Sequence, residues 1–209
     1  MKIDVKKILY ALFGIFLVGV GIAFNNCAKL GNDPVGIVYD GVRNIAKLNS
    51  GQLGTASNFV NYGLIALLIF IGRRYINIGT FIYILPYGFF VSVGTKLYHL
   101  LFSSNTNNIY FQSLAVVVGC LLLYTGVAIF IVVDIGLDPF TGLVMVIRDK
   151  IKLDYKRTKI MFDVTMVIIG TILGGKLGVV TIVTAMLAGP TIQFLANQIK
   201  AIFVERKVQ

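Results

Sequence analysis

Four polar side chains sit where chemistry inside an otherwise apolar chain would have to be done: Asp33, Asn61, Asp138 and Asp163. Two of the acids share one setting. Asp33 lies in Gly31-Asn32-Asp33-Pro34, and Asp138 lies in Gly136-Leu137-Asp138-Pro139. In such a turn the glycine ends one helix in a left-handed conformation. The aspartate then accepts from the free N–H groups of the next helix, and the proline fits its first position. Each carboxylate can therefore act as a helix cap, or it can meet a cation or polar substrate at a break in a membrane helix. Asp163 is the acid placed well inside an apolar run, a position where ionisable groups are usually functional. Lys159, four residues earlier, and a nearby helix start offer it a structural role as an interfacial ion pair. Asp33, Asn61, Asp138 and Asp163 are the candidate pathway residues, with Gly31, Pro34, Gly136 and Pro139 as the helix-break motifs.

No other chemistry is encoded. The chain carries no phosphate-binding loop, zinc spacing, nucleophile elbow or dinucleotide fingerprint, so no ATP hydrolysis, cofactor or metal is expected and the protein is read as no enzyme. His99 is the single histidine, and Cys27 and Cys120 lie in or beside apolar runs as buried small hydrophobes.

The elements that must position these residues follow from composition. Of 209 residues, 57% are hydrophobic and 13% charged, against about 25% charged in soluble domains. That excludes a soluble globular enzyme and a disordered chain. The net charge of +10 does not indicate nucleic acid, because the basic residues cluster between apolar runs, as in the positive-inside pattern. The partner is the lipid bilayer. Six apolar runs are predicted spans, at about 8–28, 56–72, 79–102, 110–133, 160–174 and 179–203. The first is read as an uncleaved helix. The fifth is short and must extend back over Arg157 or Lys159, whose stems can snorkel. Pro86 and Pro190 lie inside the third and sixth and predict kinks.

The chain also repeats. Shifted by 105 residues, positions 14–49 match positions 119–154 at 10 of 36 places, including Gly14/Gly119, Gly21/Gly126, Gly31/Gly136, Asp33/Asp138, Pro34/Pro139 and Arg43/Arg148. With small gaps Asn61 falls opposite Asp163, and Thr80 opposite Thr181. The fold class is thus all-α: a polytopic membrane protein of about six spans plus two half-helices, in two tandem repeats, 1–103 and 109–209, joined near Ser103–Asn108. The half-helices are 35–48 and 140–153, too short to span and therefore re-entrant or interfacial. Along the first, Tyr39, Asp40, Arg43, Asn44 and Lys47 share one face.

Topology stays open at this point. If the half-helices do not cross, the halves are inverted and 14 of the 19 basic residues lie on the cytoplasmic side. If they cross, the halves are parallel and the split is 15 to 4. The charge rule does not choose. Length favours inversion, whereas the repeated Arg43/Lys47 and Arg148/Lys152 ends favour crossing. Inversion would place Asn32 near the outside and Leu137 near the cytoplasm. Lys29 and Asp134 match across the repeat with opposite charge: they could pair if the breaks come close, and are ordinary interfacial charges if they lie at opposite surfaces, the reading favoured here. Glycines at 19, 21, 88 and 189 are read as close-packing positions.

At the glycine-rich first helix, Leu30-Gly31-Asn32-Asp33-Pro34, Gly51-Gln52-Leu53-Gly54-Thr55-Ala56-Ser57, Ile78-Gly79-Thr80 and Ala188-Gly189-Pro190, the chain resembles the YitT/YczE-like family of bacterial inner-membrane proteins. The resemblance implies a bacterial inner-membrane location and a two-half build, with transport as the usual inference for that family. Two functions are compatible with the sequence. One is a small multipass transporter or permease with a polar site between the halves, both termini cytoplasmic. The other is a non-transporting membrane partner, regulator or substrate-binding subunit of a larger complex, and a homo-oligomer is compatible with either.

Overall fold

Long apolar runs become long helices because a bilayer leaves the backbone no partner but itself. In the computed structural model, which describes residues 5–102 and 108–208, the helices are α1 (Val5–Ala28), α2 (Pro34–Ile45), α3 (Leu53–Ile71), α4 (Ile78–Phe102), α5 (Ile109–Val133), α6 (Pro139–Ile151), α7 (Tyr155–Ile172) and α8 (Val179–Val208). No strand occurs among the described residues. The joint between the halves falls at 103–107, outside them. Five helical segments are long and apolar enough to cross a membrane: α1, the segment Ser50–Ile71 that contains α3, α4, α5 and most of α8. The predicted fifth span, α7, misses this measure because its first three turns carry Lys156, Arg157, Lys159 and Asp163. It does extend back over Arg157, as its short apolar run required. α4 and α8 continue as helices through Pro86 and Pro190.

Helix directions follow from which residues meet. Phe16 packs on Phe90 and Phe24 on Tyr98, so α1 and α4 run parallel. Gly54 approaches Ser92 while Asn58 approaches Gly88, so α3 runs against α4. Within the first half, three helices cross and α2 does not. Between the halves, α1 and α5 form the most extensive helix pair. A Cβ on Gly14 would lie 2.8 Å from the Gly126 carbonyl oxygen, and one on Gly21 would lie 2.5 Å from that of Gly119. The two backbones touch there, which only glycine allows. Residue 14 meets 126 and residue 21 meets 119, so these equivalent helices are antiparallel. The halves are inverted.

The inversion recurs elsewhere. α2 runs alongside α7, with Ile37 at Gly170 and Gly41 at Leu173; α6 runs alongside α3, with Gly142 at Leu68 and Val146 at Gly72. Each half-helix thus packs on the third helix of the opposite half. The Thr181 hydroxyl accepts from Asn32 N at 3.2 Å, and the hydroxyl of its equivalent Thr80 donates to the Leu137 carbonyl at 2.8 Å. Each fourth helix therefore begins against the other half's break. Among the described residues, the four non-glycine residues with positive φ are Lys29 and Asp134, then Lys47 and Lys152, two equivalent pairs. The left-handed residue directly after α1 and α5 is therefore Lys29 or Asp134, and Gly31 and Gly136 follow two positions later.

Candidate functional site

Both half-helices are re-entrant. Asn26, near the end of α1, is level with Asp40 and Arg43 of α2. Asp33, two turns earlier on α2, is therefore level with Val18 and Ile22, in the middle of α1. With α1 and α4 starting at what we term the N-terminal face, the chain turns back into the bilayer after α1, and α2 then climbs to the distal face. α6 does the same toward the N-terminal face.

The two helix starts open onto one cavity of about 120 Å³, lined among others by Asp33, Tyr39, Tyr87, Asp138, Lys159 and Asp163. Three of the four candidates singled out in the sequence thus share a cavity. The fourth, Asn61, stands one step behind it, fully buried, and accepts from the Tyr39 hydroxyl at 3.3 Å. Each Asp-Pro turn caps its helix: Asp33 accepts from Val35 N at 3.2 Å, and Asp138 from Thr141 N at 3.0 Å. Asp138 also accepts from the Thr141 hydroxyl. Lys159 and Asp163 form the ion pair that their spacing implied, and the Lys159 ammonium lies 5.9 Å from the Phe162 ring centre.

A second cavity of about 370 Å³ shares Tyr83, Asp138, Lys159 and Asp163 with the first and extends to Asp134 and Gln193, toward the N-terminal face. It exists because α7 and α8 touch sparsely, whereas their counterparts α3 and α4 are closely packed. Gly189, expected as a packing glycine, has nothing within 4 Å of its Cβ position and borders this opening. Gly19 and Gly88 do meet neighbours, Phe90 and Asn58.

The distal side is closed by a network that the sequence did not announce. The polar face of α2 points inward. Asp40, fully buried, pairs with Arg43 at 2.7 Å. It also accepts from the Asn26 amide at 3.0 Å and from Lys176 N at 2.8 Å, and Arg43 donates to Asn26 at 3.1 Å. Every charge and amide in this buried cluster is paired, as burial of ions demands. The i, i+3 spacing of Asp40 and Arg43 was visible. Their burial was not, because the covering groups come from α1 and the α7–α8 loop. At the opposite face Asp149 contacts Tyr75, Arg74 and Arg148 in a more exposed cluster. Asn32, expected near the outside, is 1% exposed, because the break dips into the protein instead of resting at its surface. Lys29 and Asp134 do lie exposed at opposite faces.

Over 192 residues the chain is 23% identical to an uncharacterized protein of Haemophilus influenzae, covering 92% of this chain and 84% of the relative. No solved structure matches it. A family model matches residues 5–197. On that match the chain belongs to DUF6198, a family of unknown function.

Proposed function

We propose that this protein is a small secondary transporter or permease of the bacterial inner membrane, working by alternating access. The observation that carries the reading is the pair of inverted, re-entrant half-helices whose N-termini meet at one central cavity. In broken-helix transporters such ends hold the substrate, and exchange of conformation between inverted halves moves the opening from one face to the other. The asymmetry between the two halves supports this. The cavity reaches the N-terminal face, while Asp40, Arg43 and Asn26 seal the distal one. Of the 18 basic residues described, 29, 43, 47, 96 and 176 belong to the distal side and the other 13 to the N-terminal side, so both termini are assigned to the cytoplasm. The motifs shared with YitT/YczE-like proteins belong to the same proposal.

A ligand screen by thermal shift on the purified protein tests it, since a ligand of the native state raises stability. Hits reconstituted in proteoliposomes should be transported by this chain alone, and Asp163→Asn should abolish that transport while expression is retained. If no hit is transported and a stoichiometric membrane partner co-purifies, the reading fails in favour of a subunit of a larger complex.

A further inference from the structure

We propose that the central cavity binds a small organic monocation, held by the Asp33 carboxylate against the surrounding aromatic rings. The proposal deepens the transport reading and rests on it for the cavity's role as a substrate site.

The charges define the class. The cavity is lined by three carboxylates, Asp33, Asp138 and Asp163, and one ammonium, Lys159. Lys159 is committed to Asp163. Asp138 is satisfied by the backbone N–H and hydroxyl of Thr141. Asp33 differs. Its Oδ2 accepts from Val35 N, but its Oδ1, which lies against the Gly36 backbone, completes no hydrogen bond of good geometry although the residue is only 8% exposed. The cause lies in the repeat. The position equivalent to Thr141 is Gly36, where a Cβ would come within 2.6 Å of Asp33 Oδ1. One half thus supplies a hydroxyl to its capping acid, and the other supplies no side chain at the matching position. A buried carboxylate oxygen left without a donor is costly unless a ligand completes it. The fully buried Tyr87 hydroxyl, on the same cavity beside Tyr39 and Tyr83, completes no hydrogen bond of good geometry either.

The walls narrow the class further. Tyr83 stacks on Tyr87 with centroids 5.0 Å apart, and Phe140 packs edge-on against Tyr39 at 5.8 Å. Such faces attract weakly hydrated cations, and Lys159 already lies over another ring of the cavity, that of Phe162. A sodium or calcium ion would need several converging oxygens. No three of the described histidine, cysteine, aspartate or glutamate side chains gather for a metal. Helix N-termini ordinarily favour anions, but here the two capping aspartates occupy those N–H groups and reverse the sign. A volume of about 120 Å³ limits the ligand to a few non-hydrogen atoms.

Thermal stability of the purified protein would be measured against methylammonium and tetramethylammonium chloride. Sodium chloride at equal ionic strength, sodium acetate and sodium methylphosphate serve as references. The expected result is a saturable stabilisation by at least one ammonium ion and by none of the sodium salts. Asp33→Asn, which keeps a capping acceptor, should weaken it at least about tenfold, as loss of one buried charge partner does. Gly36→Ser, whose Cβ would come within 2.6 Å of Asp33 Oδ1 and must displace it, should weaken it as well, and Asp149→Asn, three turns along α6 from the cavity, should leave it within about threefold. No saturable response to either ammonium ion overturns the proposal. So does stabilisation by acetate or methylphosphate, or an ammonium response that survives both Asp33→Asn and Gly36→Ser. Asp33-dependent binding without movement across proteoliposomes upholds the cation site and refutes transport. Transport of another solute without ammonium binding refutes the cation site alone.

Discussion

At the residue scale, the two Asp-Pro turns look alike in sequence and differ in the structure by one neighbour. Asp138 has Thr141 three residues on, and Asp33 has Gly36. Both carboxylate oxygens of Asp138 are bonded, by the N–H and the hydroxyl of Thr141, whereas only one oxygen of Asp33 is, at its cap. Asp138→Ala should lower stability by about 0.5–2 kcal/mol, the usual cost of a lost cap, and Asp138→Ser should recover most of it, as judged by thermal melting in detergent. Asp33→Ser should melt near the parent temperature yet lose ligand response. A melting loss for Asp33→Ser as large as for Asp138→Ala would contradict this division of roles. Both caps and the Lys159–Asp163 pair were legible because they rest on spacings of two to four residues within one helix turn. The Asp40 cluster was not, because its partners Asn26 and Lys176 lie on other elements. Likewise the tyrosine walls come from α2 and α4, and no local pattern brings Tyr39 to Tyr87.

At the element scale, α1 and α5 cross where backbone meets backbone. Gly21→Val would place a branched side chain against the carbonyl of Gly119. Overpacking of this kind costs about 1–3 kcal/mol and should appear as a lower melting temperature and poorer expression. Gly189→Ala is the matched control: it meets nothing within 4 Å and should be silent, or slightly stabilising through reduced unfolded-state freedom. Equal losses in both variants would contradict the packing described. The glycines of the first helix could be read as packing positions from sequence. Which of the later ones pack could not, since Gly88 and Gly189 occupy equivalent positions in the repeat and only Gly88 is covered. That difference records the unequal state of the halves, with α3 closed on α4 and α7 drawn away from α8.

At the scale of the whole molecule, the repeat was readable from 10 identities in 36 positions, but its symmetry was not. Inverted and parallel halves divided the basic residues almost equally, and the decision came from α1 and α5 meeting in opposite directions. The shortness of α2 and α6 pointed the right way, against their being spans. The repeated basic helix ends pointed the wrong way, because Arg43 serves a buried ion pair and is not a surface anchor. Inversion requires of a transporter that its one cavity be reachable from both faces in turn. In a variant lacking Cys27 and Cys120, a single cysteine replacing Val127, which lines both the central cavity and its opening, would be labelled with an impermeant thiol reagent in right-side-out and in inverted membrane vesicles. Lys29→Cys and Asp134→Cys would serve as markers of the two faces. Alternating access predicts that the markers label from opposite sides only, and that Val127→Cys labels from both. Labelling of Val127→Cys from the Asp134 side alone, with Lys29→Cys still reactive from its own side, would contradict alternating access and with it the transporter reading.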